Sequence, residues 1–144
     1  MNLPQYITTE EAQRVCHELG IRDWTLLKEA SVPLKEARII QTAVGAEATQ
    51  ITTEEFCRGL EVELEHGLQF PDANVTNNHP LLTGMIVLAH LKETLDYYLR
   101  LEVAELEGDM LKALSQGDSG KLTEKYQKLI QARAALCSHE AGHL

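Results

Sequence analysis

The sequence predicts an all-α protein: a compact bundle of five to six helices, with one long helix over about 81–114 and an antiparallel C-terminal helix. Three observations predict it. Apolar residues recur at three- and four-residue spacings along most of the chain, the period of a helix with one buried stripe. Almost no segment alternates apolar and polar residues around β-branched side chains, as a half-buried strand does. The periodic stretches are separated by turn formers, as in Phe70–Pro80 and Ser115–Gly120. A chain of 144 residues is one domain's worth of core. Residues 1–144 therefore read as a single helical domain, with a core motif region at 52–107, a C-terminal helix at 119–138 and a flexible tail at 139–144.

The first helix opens at Ile7-Thr8-Thr9-Glu10-Glu11, where either threonine can cap and the acidic pair faces the positive helix end. Ala12, Val15, Cys16 and Leu19 form its stripe, and Gly20 stops it. A short helix over 22–30 carries Trp24, Leu26 and Leu27. Pro33 suits a first turn, so Leu34–Ala48 is the next helix, burying Ala37, Ile39, Ile40, Ala43 and Val44. A second Ile-Thr-Thr-Glu-Glu at 51–55 repeats residues 7–11 letter for letter. It reads as a second cap of the same kind, since a five-residue echo is far shorter than any repeat unit. The helix it starts runs to about Gly67 and buries Phe56, Leu60 and Leu64, with Glu61 and Glu65 toward water.

Pro80 restarts the chain into the long helix. Leu81, Leu88, Leu95, Leu99, Leu106 and Met110 make its main stripe, a second face carries Ile86, His90, Glu93, Tyr97, Leu101 and Ala104, and Gly108 is its weak point. The last helix buries Leu122, Tyr126, Leu129, Ile130, Ala134 and Leu136.

A formal net charge of −9, without a Lys/Arg cluster, disfavours nucleic acid. No apolar run approaches the length of a membrane span. MNLPQYITTEE lacks the basic and apolar regions of a signal peptide, so a cytoplasmic location and a bare Asn74-Val75-Thr76 sequon are expected. Cys16, Cys57 and Cys137 are odd in number and far apart, which fits free thiols filling helix contacts in a reducing compartment. No Gly-rich phosphate loop occurs, so no nucleotide cofactor is expected. Self-association or a protein partner is compatible with all of this.

The polar residues that look placed are Glu63, His66, His90 and Glu93. Glu63-x-x-His66 sets a carboxylate and an imidazole one turn apart at the edge of an apolar face. That spacing serves carboxylate-bridged di-metal sites in bundles, because both donors project to one point. His90, Glu93 and Tyr97 stack likewise on the long helix. If the two helices face each other, four N and O donors converge, a set suited to iron, manganese or zinc, with Tyr97 and Tyr98 supporting the ligands from behind. The expected function is metal binding, with di-metal chemistry of the ferritin-like kind as its extension. The alternative is a non-catalytic interaction or scaffold protein in which Glu63 with His90, and His66 with Glu93, only lock a helix crossing. The tail holds His139-Glu140-Ala141-Gly142-His143, a literal HExxH. With Gly142 inside it and no third ligand downstream, it reads as a frayed end rather than a zinc protease site. As a weaker variant, Glu140-x-x-His143 would be a second carboxylate–imidazole motif, completed by Glu18 or Glu36 and by Glu93 or Glu102. No reaction follows from these residues alone.

Glu55-Phe56, Gly59, Val62-Glu63-Leu64-Glu65-His66-Gly67, Asn74-Val75-Thr76, Gly84-Met85-Ile86, Ala89-His90-Leu91, Glu93, Asp96-Tyr97-Tyr98, Leu101 and Glu105 together resemble an uncharacterised family. Its members are small helical proteins of bacteria, archaea and phages, known as a domain of unknown function. Glu10-Glu11-Ala12 and Leu19-Gly20-Ile21 are similar as well. The chain departs from the family in extra residues near 25–50 and in an added helix after about 115. The resemblance implies a shared site around His66, His90 and Glu93 and names no activity.

Overall fold

A computed structural model describes residues 7–142. Among them every regular element is helical, and six are α-helices: α1 Thr9–Leu19, α2 Leu34–Val44, α3 Thr53–Gln69, α4 Pro80–Glu93, α5 Tyr97–Ser115 and α6 Ser119–Ala141. The chain divides into two compact units, Met1–His90 and Leu91–Leu144. No helix among the described residues is long and apolar enough to cross a membrane.

The repeated pentapeptides are a pair of caps, as expected. The Thr8 hydroxyl accepts from the Glu11 N–H at 3.2 Å, and the Thr52 hydroxyl accepts from Glu55 N–H at 3.3 Å. Each satisfies one donor at a helix start that no carbonyl can reach. Gly20, at φ 65°, ends α1 in the left-handed conformation that glycine adopts without strain.

The first unit is built around Trp24, Ile40, Phe56, Leu60, Leu64 and Val87, all at 1% exposure or less. The predicted 22–30 helix shrinks to a single 3-10 turn, Trp24–Leu26. Trp24 alone is buried there, while Leu26 faces solvent. In α2, Ala37 and Ile40 are buried as expected, but Ala43 is exposed, and Glu36 and Gln41 are buried instead. Both buried polar groups have partners, which is what makes their burial tolerable. The Gln41 amide donates to the Ala48 and Ile51 carbonyls, each at 2.9 Å, and so ties the α2–α3 connection.

The 81–114 stretch is helical, yet it forms α4 and α5 rather than one rod. The interruption falls at Thr94–Asp96, not at Gly108. Asp96 takes over as the anchor for the new helix: its carboxylate accepts from the Thr94 hydroxyl and from Arg100 at 2.6 Å. α4 buries Thr83, Gly84, Val87 and Leu91 rather than the stripe through Leu81, Leu88 and Leu95.

α5 and α6 form an antiparallel hairpin. The turn between them is closed by Gly117 at φ 68°, with the Gly117 and Asp118 N–H groups donating to the Leu114 and Ala113 carbonyls. Its seam repeats at alternating four- and three-residue steps. Leu99, Val103, Leu106, Met110 and Ala113 on α5 oppose Leu136, Ala132, Leu129, Lys125 and Leu122 on α6. This is the spacing of a coiled coil. Leu106, Leu129 and Ala132 are its buried centre, with Val103 and Met110 packed against them. Lys125, the one charge in the seam, reaches Asp109 at 2.6 Å. Tyr126, Ile130 and Ala134 were expected inside and are exposed. α6 continues through His139 and Glu140 to Ala141, beyond the predicted end at 138.

Candidate functional site

The local fold brings three of the predicted donors together. Phe56, Leu60 and Leu64 point α3 into the core of the first unit, which leaves Glu63 at the edge of that face. α4 can lie close to its neighbours because residue 84 is glycine: a Cβ there would meet Val44 Cγ2 at 2.8 Å and Ile40 Cγ2 at 3.0 Å. With α4 so placed, His90 Nδ1 stands 3.1 Å from Glu63 Oε1, within hydrogen-bond range. His66 Nδ1, from the next turn of α3, stands 3.9 Å from the other carboxylate oxygen, an ion-pair distance rather than a hydrogen bond. One carboxylate, at 15% side-chain exposure, thus serves two imidazoles that remain 31% and 45% exposed.

A cleft of about 210 Å³ opens beside this group, lined among others by Glu63, His66, Phe70, Asn74, Thr76 and Thr83. Its wall is the loop after α3. Asn74 Nδ2 donates to the Gly67 carbonyl at 3.2 Å and to Asn78 Oδ1 at 2.7 Å, while Asn77 and Asn78 take left-handed conformations at φ 49° and 56°. A side chain at Gly67 would run into Asn78 Oδ1 at 2.2 Å, so the glycine is required by the loop folded over it. A larger open groove of about 730 Å³ runs along α2, with Leu19, Leu34, Lys35 and Arg38 in its walls, and none of the predicted site residues lines it.

The other predicted residues belong to the second unit. Glu93 is the exposed last residue of α4. Tyr97 is half-buried and Tyr98 buried at the start of α5, their rings edge-on with centroids 5.2 Å apart. Within the HExxH stretch, Glu140 accepts from Arg100 at 2.6 Å, while His143 lies outside the described residues. Among the described residues, no group of three or more His, Cys, Asp or Glu side chains is arranged to hold a metal ion.

Several polar residues have partners that the sequence does not indicate. Glu36 accepts from Arg22 Nε and Nη2 at 2.8 and 3.1 Å, from the Arg22 backbone N–H, and from Trp24 Nε1 at 3.3 Å. Burial pushes its carboxyl up, but these donors outweigh burial and hold it below the usual range. Glu61 does not point to water: it accepts from the Val32 N–H at 2.9 Å. Cys57 donates to the Val32 carbonyl, and burial raises its thiol to about 11. Cys16 is also buried, whereas Cys137 is exposed.

His79 was missed altogether. Its Nδ1 accepts from the Leu82 N–H at 3.3 Å, capping α4 just before Pro80. The histidine is buried, and that burial lowers its pKa below the ordinary value. The unfolded chain therefore takes up the proton first. Stability should be complete above the unfolded value, about 6.5, and be lost as pH falls through the lower folded value. Protonating Nδ1 also removes the acceptor that Leu82 uses. We expect the wild-type melting temperature to drop between pH 7.5 and 5.5, and a His79→Asn variant, which keeps a capping acceptor, to show a smaller drop.

The architecture defines an all-helical protein whose first unit carries a carboxylate shared by two histidines beside a small cleft. The chain belongs to the family described as protein of unknown function (DUF5661), whose profile matches residues 12–107. That span includes α1 from Ala12 through the first half of α5, and it leaves out α6. No curated protein and no solved structure matches the chain.

Proposed function

We propose that this is a non-catalytic helical interaction protein in which Glu63 acts as a clasp, tying α3 to α4 through His90 and steadying His66 beside the cleft. One observation carries the reading: each oxygen of the Glu63 carboxylate is directed at a different imidazole, the nearer at 3.1 Å. A carboxylate so placed is satisfied by its neighbours and needs no cation for its burial. A hydrogen bond of this sort contributes on the order of 1 kcal/mol, enough to fix a crossing but not to drive a fold.

The shared carboxylate also favours a second reading, transition-metal binding. Two imidazole nitrogens and a carboxylate around one point form a donor set for iron, manganese or zinc, and modest side-chain rotations would turn the clasp into a three-ligand site. Metal analysis of protein purified without an affinity tag separates the two. The clasp predicts no near-stoichiometric metal, and a melting temperature lowered by a few degrees in Glu63→Gln with or without chelator. Stoichiometric metal that disappears in the Glu63→Ala/His90→Ala double variant would replace the first reading with the second.

A further inference from the structure

The α5–α6 hairpin has one polar and one apolar side, and its ion pairs show which is which. Arg100 bonds Glu140 and Glu107 bonds Arg133, each at 2.6 Å. Both pairs lie on the same flank of the seam, two helical turns apart. The same seven-residue step continued toward the connecting turn arrives at Leu114 on α5 and Tyr126 on α6. These are 63% and 52% exposed. On that same side, one position further out along each helix, stand Leu111 and Ile130, 69% and 48% exposed. The opposite flank carries Asp109, which the seam residue Lys125 reaches, and the lysines at 112, 121 and 128. So the large exposed apolar residues of the hairpin share one side. Apolar residues flanking the seam are the mark of a helix meant for a bundle rather than for a two-stranded coil.

We propose that this face binds the same face of a second copy, making a four-helix bundle in which the two hairpin turns lie at the same end. Charge selects both occupant and orientation. With the two-fold axis along the bundle, α5 of one copy runs antiparallel to α6 of the other, as it does within the hairpin. Leu114 and Tyr126 then form a fully apolar layer with their counterparts. Glu107 faces the partner's Arg133 and Arg100 faces the partner's Glu140, so acid and base alternate around each charged layer. The reversed arrangement would set the Leu114–Tyr126 layer against the Arg100–Glu140 layer, burying charge against apolar surface. Over the roughly 28 Å that α5 and α6 run side by side, one face of the hairpin presents roughly 500 Å², so two copies would bury on the order of 1,000 Å² in total, which meets the lower bound for a specific interface.

Sedimentation of the full-length chain tests this. We expect twice the chain mass at concentrations on the order of 100 µM, reverting to a monomer with unchanged helical circular dichroism in the Leu114→Glu/Tyr126→Glu variant, while Lys112→Glu on the opposite flank stays dimeric. Orientation is read separately: a chain with Cys137→Ser and Leu114→Cys, otherwise native, should form an intermolecular disulfide under mild oxidation, because only turns at the same end bring the two copies of residue 114 into one layer. A monomer throughout this range, a dimer indifferent to the paired glutamates, or a cysteine at 114 that does not cross-link would each overturn the proposal.

Discussion

Replacing Trp24 by alanine should cost about 3–5 kcal/mol, the range for deleting a large buried aromatic. Trp24 is wholly inaccessible. Its indole N–H donates to Glu36, and its backbone carbonyl accepts from Asn78 Nδ2 at 3.5 Å. The residue therefore joins the segment before α2 to the loop after α3. Truncation leaves a cavity and takes one of the donors from a buried carboxylate. Chemical denaturation measures the loss, and Trp24→Phe separates its parts: it refills most of the volume but not the hydrogen bond, so it should recover well over half of the stability. Equal losses for alanine and phenylalanine would assign the effect to the Glu36 contact alone.

A similar loss, again about 3–5 kcal/mol, is expected for Phe56→Ala. The ring has no solvent exposure, and its Cζ lies 3.3 Å from where a Cβ on Gly84 would sit. It therefore packs under the close approach that Gly84 permits and that brings His90 to Glu63. Phe56→Leu should be much milder, because most of the volume is kept. In Phe56→Ala the His90 imidazole resonances should also move, since the crossing that positions the ring is loosened. Lost stability with unmoved His90 resonances would uncouple that crossing from the clasp.

Much of the fold was legible because helix ends are written in single residues. Thr8 and Thr52 cap, Gly20 stops, and Pro80 restarts where they were read to do so. The break at Thr94–Asp96 was not legible, because Lys92-Glu93-Thr94-Leu95-Asp96 contains neither Gly nor Pro. What marks the break is Asp96, buried just before α5 with its carboxylate held by the Thr94 hydroxyl and the Arg100 guanidinium, contacts that exist only once the chain has folded. The buried faces were half readable. Apolar phase placed Phe56, Leu60 and Leu64 correctly, but a pattern that sends polar residues outward cannot find Glu36, Gln41 or His79, each buried with a hydrogen-bond partner: Trp24 for Glu36, the Ala48 carbonyl for Gln41 and the nearby Leu82 N–H for His79. The same holds for the site. Helical phase set Glu63 and His66 on one edge and pointed to His90, whereas the partner of Glu61 is a backbone N–H 29 residues away, which no local spacing reveals.

The contact between Glu63 and His90 is tested most directly by a double-mutant cycle on stability, using Glu63→Ala, His90→Ala and the double variant in the presence of chelator. The clasp predicts a favourable coupling of about 0.5–1.5 kcal/mol that persists without metal. Additive losses within about 0.3 kcal/mol, or a coupling that appears only when metal is restored, would contradict it.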